Sequence, residues 1–344
     1  MQGKRLAVFS LGILLTLGLA VAIGFSGMED ANQEDAEGVV QQTSLAPVEG
    51  KAELAGTWPL PQPRESSRPE VLQPPEILTE RNKEEAPWRL YGAAADFPDG
   101  TPRIAVIIDD MGLNRSAARR AAELPPPFTL AYLSYAENVE KLISDSRARG
   151  HEIMLHLPME PMNGEIDSGP RTLLSEQAYE ERQQDLVWAL ERFGEYVGVN
   201  NHMGSRLTAN RDAMKQVLAE VKERGLLFVD SRTSAETVAL DVARELGVPS
   251  IGRDVFLDHE QSREFIEAQL AHLEDIARKR GSAVGIAHPH DVTLEVLSEW
   301  QSDLKERGFT LVPVSDIVRE YQERIARLAE TPAELPEKRS PQSQ

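Results

Sequence analysis

Five short apolar runs between positions 103 and 290 each end in a side chain that can bind a metal ion or transfer a proton. The runs end at Asp109-Asp110, His156, His202, Asp230 and His288-Pro289-His290. The carboxyl ends of parallel strands lie on one rim of an α/β protein, so residues far apart in sequence can meet there in one site. The pattern indicates an enzyme.

Two imidazoles and one carboxylate form a common ligand set for a catalytic divalent metal, with positions left for water and substrate. We predict that His156, His202 and one of the two adjacent aspartates, Asp109 or Asp110, bind the ion while the other aspartate titrates, and that the ion is zinc. Asn201 and Ser205 belong to the polar cluster around His202 and are predicted to support the site or contact substrate. Taken singly, each ligand has a second interpretation, since an Asp pair can cap a helix and a lone histidine is often structural.

The segment His288-Pro289-His290 closes the series of strand ends. Because histidine titrates near neutral pH, His288 could donate a proton to a leaving group. His290 is predicted to contact substrate or support the site. Asp230 is predicted to orient this histidine or to contact substrate. Arg232 either neutralises Asp230 or forms an ordinary ion pair in a loop.

Short apolar runs alternate with amphipathic segments through the central part of the chain. We predict strands over 103–108, 128–133, 152–156, 196–200, 226–229, 249–256, 283–287 and 310–314, and helices over 116–123, 139–149, 175–193, 213–224, 236–246, 263–280 and 294–307. Seven or eight successive βα units predict a parallel sheet with right-handed crossovers. Polar residues end strands along the whole series, which favours a closed barrel over an open doubly wound sheet.

The flanks differ in composition from this central part. Lys4 and Arg5 precede an apolar stretch over 6–25, which predicts a membrane anchor or a signal peptide in 1–27 and an extracytoplasmic domain, periplasmic or at the cell surface. Residues 28–101 are rich in Pro and Glu and are predicted to be a disordered linker; 329–344 are predicted to be a disordered tail, and 102–328 the barrel domain. The net charge of -19, without a clustered basic face, argues against a nucleic-acid partner.

Several motifs resemble those of a known family. The segment Gly150-His151-Glu152-Ile153-Met154-Leu155-His156 resembles the Gly-His-Glu-Ile-x-x-His segment of polysaccharide deacetylases, and Ile107-Ile108-Asp109-Asp110 resembles their paired aspartates. The segments His-Leu-Pro-Met-Glu-Pro, Asn-Asn-His-Met-Gly-Ser and Ala-His-Pro-His resemble the divergent polysaccharide deacetylase family in particular. The resemblance runs from about position 103 to about 316.

The resemblance implies a distorted NodB-like (β/α) barrel that uses a divalent metal to remove N-acetyl groups from a polysaccharide. It implies that Asp109 is the catalytic base, that Asp110 and His156 bind the metal, and that His288 is the acid. These roles match the strand-end residues identified above.

Two departures from the family pattern leave alternatives open. Glu160 stands where the family usually has a second metal histidine, and His202 is our candidate for the missing ligand. The family's Arg-Pro-Pro substrate segment is also absent. The chain is therefore a deacetylase, a membrane-tethered binding or scaffold protein on an inactive barrel, or another metal-dependent hydrolase acting on cell-wall glycans.

Overall fold

A computed structural model describes residues 86–93, 95 and 100–330. The predicted membrane segment, most of the predicted linker and the predicted tail after position 330 lie outside these residues. None of the helices in the described ranges combines the length and the apolar character that a membrane span requires.

Strands and helices alternate through the described part of the chain, and their bounds follow in chain order. The strands are β1 Arg103–Met111, β2 Thr129–Leu133, β3 Glu152–Met159, β4 Gly198–Met203, β5 Leu227–Asp230, β6 Ser250–Gly252, β7 Val255–Phe256, β8 Ser282–Ala287 and β9 Thr310–Leu311. The α-helices are α1 Pro87–Leu90, α2 Arg115–Glu123, α3 Glu140–Ala148, α4 Tyr179–Leu190, α5 Arg211–Glu223, α6 Ala239–Leu246, α7 Arg263–Arg280, α8 Asp291–Ser302 and α9 Val314–Glu330.

The strands form a single parallel sheet that curls into a distorted barrel, as predicted. Its order is β6-β5-β4-β3-β2-β1-β8-β7, and β9 pairs with the start of β1. Every strand pair between the described residues is parallel. No ladder within these ranges joins β6 to β7, so the barrel is open along that seam.

Alternate side chains of β1 enter two different cores. In β1, Ile104 and Val106 pack into the large cluster shared with the surrounding helices, whereas Ala105 and Ile107 join a smaller cluster with the start of α9. Because successive strand residues point to opposite faces, the smaller cluster fills the inside of the barrel. The inward-facing positions, every second residue along a strand, form an inward series. Residues that continue this series past the end of a strand lie at the rim of the barrel.

Helix boundaries follow local signals in the sequence. Asn114 caps α2 by accepting hydrogen bonds from the N–H groups of Ser116 and Ala117, both at 3.1 Å. Four glycines that follow helix ends have positive φ, namely Gly150, Gly225, Gly247 and Gly281.

Three parts of the sequence prediction need correction. The predicted strand over 249–256 is two short strands, because Arg253-Asp254 interrupts it between β6 and β7. The predicted strand over 310–314 ends at Leu311, and an unpredicted helix, α9, begins at Val314. The segment before position 102 was assigned to the linker, yet α1 forms there and buries Trp88 in the inner core, so the packed domain begins earlier.

Candidate metal centre

Asp109 and Asp110 both reach the rim because the backbone leaves regular strand geometry between them. Asp109 continues the inward series of Ile107 and is 3% exposed. Asp110 has a φ of 55°, in the left-handed region, where the register of β1 with β2 also shifts. His156 Nε2 consequently lies 3.6 Å from Asp109 Oδ2 and 3.3 Å from Asp110 Oδ1. Two neighbouring carboxylates thus serve one site.

The predicted metal ligands converge on one point. Asp110 Oδ1 lies 2.9 Å from His202 Nδ1, and His202 Nδ1 lies 3.2 Å from His156 Nε2. The parallel register explains this, since His156 is paired with Asn200, two positions before His202 on the same face of β4. One ligand atom from each of Asp110, His156 and His202 falls within 4.8 Å of the others, as a shared metal ion requires.

The chemistry of these atoms fits a divalent cation. Asp110 Oδ1 is buried and has no hydrogen-bond partner among the described residues, although two ring nitrogens face it. His156 Nδ1 lies 2.8 Å from Asn200 Oδ1, so Nδ1 carries a proton and Nε2 is the ring nitrogen that faces the metal position. Burial raises the pKa of Asp110, but the imidazoles of His156 and His202 outweigh it and hold that pKa well below its usual range. Asp110 is therefore ionised at neutral pH, and a metal ion bound beside it would replace any proton on the two facing ring nitrogens.

Asp109 has the properties of a base rather than those of a ligand. Its Oδ1 accepts a 2.7 Å hydrogen bond from Asn200 Nδ2, while Oδ2 faces His156. Burial raises the pKa of Asp109 in spite of the opposing charges of His156 and His288 and the hydrogen bond from Asn200. A carboxylate with a raised pKa beside a metal site is suited to accept a proton at neutral pH.

His288 is held by an aspartate that the sequence analysis did not identify. Asp258 accepts hydrogen bonds from the backbone N–H of His288 at 2.7 Å, from His288 Nδ1 at 3.0 Å and from Thr293 Oγ1 at 3.0 Å. His288 Nε2 is thereby left 3.9 Å from Asp110 Oδ2. Burial lowers the pKa of His288, but Asp258, together with Asp109 and Asp110, outweighs it and raises that pKa to about 9.

His290 lies beside this pair. Its ring is 5.9 Å from that of His288, and its Nε2 is 3.1 Å from Gln261 Nε2. Asp258, His288 and His290 form a second group whose ligand atoms lie within 4.8 Å of one another. Because the carboxylate of Asp258 already accepts three hydrogen bonds, this group is less suited to a metal ion than the first.

Asn201, Ser205 and Asp230 order the rim loops. Asn201 accepts a hydrogen bond from Ser231 N at 2.9 Å and donates one to the carbonyl of Met203 at 2.7 Å. Ser205 Oγ accepts one from Met162 N at 2.7 Å. Their predicted supporting role is therefore a loop-ordering one.

Asp230 accepts hydrogen bonds from the backbone N–H of Arg232 at 2.8 Å and from Thr237 Oγ1 at 2.9 Å. It follows the outward-facing Phe228 on β5, so its side chain does not continue the inward series. Of the two roles predicted for Asp230, orienting His288 is wrong, because Asp258 does so, whereas contact with substrate stays a prediction. The guanidinium of Arg232 lies against Gly252, where an added Cβ would be 2.6 Å from Nε.

Glu160 lies outside the metal group, in the position where a second metal histidine was expected. Its Oε2 accepts a 2.7 Å hydrogen bond from Ser175 N, and its Oε1 lies 3.5 Å from Arg206 Nε. Glu160 therefore ties together the loops after β3 and β4. Arg206 in turn donates to the carbonyl of Met162 at 3.0 Å, which strengthens the same connection.

The sequence analysis missed Asn200 and Asp258 for identifiable reasons. Asn200 ends the predicted strand over 196–200, but its role depends on its pairing with His156 across β3 and β4, which the sequence does not show. Asp258 follows Val255-Phe256-Leu257, an apolar run like the other strand ends, which was hidden because 249–256 was interpreted as one strand.

The chain is similar in sequence and in structure to several known proteins. The sequence model of the divergent polysaccharide deacetylases matches residues 106–318. The uncharacterized protein YibQ of Escherichia coli is 32% identical over 220 residues, which cover 64% of this chain and 68% of that protein. An uncharacterized protein of Haemophilus influenzae is 30% identical over 211 residues, covering 61% and 75%. The crystal structure of uncharacterized protein ATU2773 from Agrobacterium tumefaciens is 31% identical, with a TM-score of 0.66, covering 67% of this chain and 94% of that one.

Proposed function

Because the chain belongs to the divergent polysaccharide deacetylase family, we propose that it removes N-acetyl groups from a cell-envelope polysaccharide with a divalent metal ion, and that this ion is zinc. The observation that supports this most strongly is the meeting of Asp110, His156 and His202 within 4.8 Å. Asp109 and His288 both lie next to that point, at 3.6 Å from His156 and 3.9 Å from Asp110. A base and an acid beside three ligands are what metal-assisted amide hydrolysis requires.

Each of these residues has a distinct role in the proposed reaction. Asp110, His156 and His202 would hold a divalent ion, which would supply Lewis acidity to the acetamide carbonyl and to a water molecule. Asp109 accepts a proton from the attacking water through Oδ2, because Oδ1 is already paired with Asn200. The C–N bond then breaks, and the products are acetate and a free amino sugar.

His288 protonates the departing amine. Asp258 accepts the hydrogen bond from Nδ1, which leaves the Nε2 proton directed toward the site near Asp110. The pKa of about 9 keeps this imidazole protonated at neutral pH in the metal-free protein. A bound dication would oppose that rise, since it adds positive charge next to His288.

The proposed substrate agrees with the proposed location. The apolar stretch over 6–25, preceded by Lys4 and Arg5, supports anchoring in the inner membrane with the domain on the extracytoplasmic side. A polysaccharide of the cell envelope is accessible from that position.

Acetate release by the purified full chain tests the proposal. The protein is incubated with peptidoglycan or chitin oligomers and added zinc, cobalt or manganese, beside the variant Asp109→Asn. We expect metal-dependent release by the wild type and a fall of roughly 10²- to 10⁴-fold in kcat for the variant. Asp275→Asn changes a partly exposed residue on α7 that pairs with Lys279; it is the matched control and should keep full activity. Wild-type protein that binds metal but releases no acetate from these polymers would contradict the proposal and favour the scaffold alternative.

A further inference from the structure

The buried side-chain amide of Asn200 contacts both a candidate metal ligand, His156, and the candidate base, Asp109. It lies on β4, paired in register with His156, and is 0% exposed. Its Oδ1 is 2.8 Å from His156 Nδ1, and its Nδ2 is 2.7 Å from Asp109 Oδ1. A third contact, from Nδ2 to Ser231 Oγ at 3.4 Å, is longer and weaker.

The orientation of this amide is determined by its partners. An ionised carboxylate only accepts hydrogen bonds, so the side of Asn200 that faces Asp109 must be the NH₂ group. The carbonyl oxygen then faces His156, and the ring nitrogen next to it must carry the proton. Reversing the amide would place oxygen against oxygen at Asp109, which leaves two buried acceptors without a donor.

We propose that Asn200 is the positioning residue of this centre, holding His156 in the tautomer that presents Nε2 to a metal ion and holding Asp109 so that Oδ2 is directed at the water. The part concerning Asp109 rests on the proposed function. The part concerning His156 does not, because it concerns metal binding alone.

The structure offers no substitute for either contact. Asp109 Oδ1 is buried and receives its only short side-chain hydrogen bond within the described residues from Asn200. The neighbouring Asn201 is equally buried but contacts Ser231 and Met203 in the rim loops, so it cannot take over either role. Residues that orient a metal histidine typically change metal affinity by about 10- to 100-fold when they are removed.

Two substitutions separate the two contacts. Asn200→Asp keeps an oxygen that accepts from His156 Nδ1 but removes the N–H that Asp109 accepts. The two carboxylates then repel or share a proton, and in either case Asp109 becomes a poorer base. Asn200→Ala removes both contacts.

The measurements are zinc binding by calorimetry on the metal-free full chain and steady-state acetate release by the loaded chain. For Asn200→Asp we expect zinc affinity retained or increased, KM near wild type, and kcat lowered by roughly 10²-fold. For Asn200→Ala we expect kcat lowered and zinc affinity lowered by about 10- to 100-fold. Nitrogen-15 spectra of the histidine rings in metal-free protein should show one tautomer of His156 in wild type and in Asn200→Asp, and a mixture in Asn200→Ala.

Gln216→Ala is the matched control, because it removes a buried amide on α5 that bonds Arg182 and Tyr179 in the helical layer. It should lower stability without changing zinc affinity or kcat. The proposal is overturned if zinc affinity falls equally in both Asn200 variants, if neither variant changes it, or if Asn200→Asp keeps wild-type kcat. If Asn200→Ala does not fold, Asn200→Asp alone decides through the same affinity, kcat and tautomer readouts. If the wild type releases no acetate, the proposed function fails, while the zinc and nitrogen-15 measurements still test the contact with His156.

Discussion

Glu152 should make the stability of this protein fall as the pH rises through neutrality. The carboxyl group is 1% exposed at the start of β3, far from the rim. Its oxygens accept hydrogen bonds from Thr129 Oγ1 at 3.0 Å, from Ser315 N at 3.2 Å and from the Ser315 hydroxyl. Burial outweighs these hydrogen bonds and raises the pKa of Glu152 from 4.5 to about 7.

The sign and size of the effect follow from proton linkage. Between pH 4.5 and about 7 the folded protein binds more protons at Glu152 than the unfolded chain, so the free energy of unfolding falls with rising pH. A shift of this size corresponds to about 3 kcal/mol, fully lost above pH 7 and fully present below pH 4.5. Glu152→Gln cannot ionise, so its stability relative to wild type should increase by about 3 kcal/mol across this window.

Urea unfolding of the full chain, followed by circular dichroism between pH 4.5 and 8, measures this difference. The test is how the difference in unfolding free energy between Glu152→Gln and wild type varies with pH. The amide also alters the hydrogen bonds to Ser315, but this adds an offset that does not depend on pH. The exposed Glu306→Gln is the matched control and should give a flat line. A flat line for Glu152→Gln as well, or one that falls with pH, would refute the reasoning.

Three further predictions concern the rim. Asp258→Asn removes the carboxylate that raises the pKa of His288, so the alkaline limb of the kcat/KM profile should move to lower pH; an unmoved limb would exclude His288 as the acid. Zinc at 100 times its Kd should stabilise wild type by about 2.7 kcal/mol, and His202→Ala should lose most of this gain; equal shifts in melting temperature would reject His202 as a ligand. Asp230→Ala should cost about 1 to 3 kcal/mol through its loop hydrogen bonds while zinc affinity stays unchanged; weaker zinc binding would place Asp230 in the site.

Two of the candidate ligands, His156 and His202, could be predicted because they lie at inward-facing positions near the carboxyl ends of their strands. His156 and His202 each continue an inward series, and their sequence positions show it once the strands are located. The same reasoning placed Asp109 at the rim. Residue positions that depend on strand alternation and on parallel register could therefore be predicted from the sequence.

The remaining features depend on backbone conformation and pairing that no local pattern encodes. The left-handed φ of Asp110 brings two adjacent carboxylates together, although strand alternation predicts that they diverge. The contact between Asn200 and Asp109 spans 91 positions and follows from barrel curvature. The apolar pattern that begins α9 at Val314 fits a strand end equally well over so few residues.

The most direct test of the account is the location of the bound ion. Crystals of the full chain grown with zinc, measured at the zinc absorption edge, locate the metal by its anomalous signal. We predict one peak within coordination distance of Asp110, His156 and His202. A peak held instead by Asp258, His288 and His290, or no peak in protein shown by elemental analysis to contain zinc, would contradict the account.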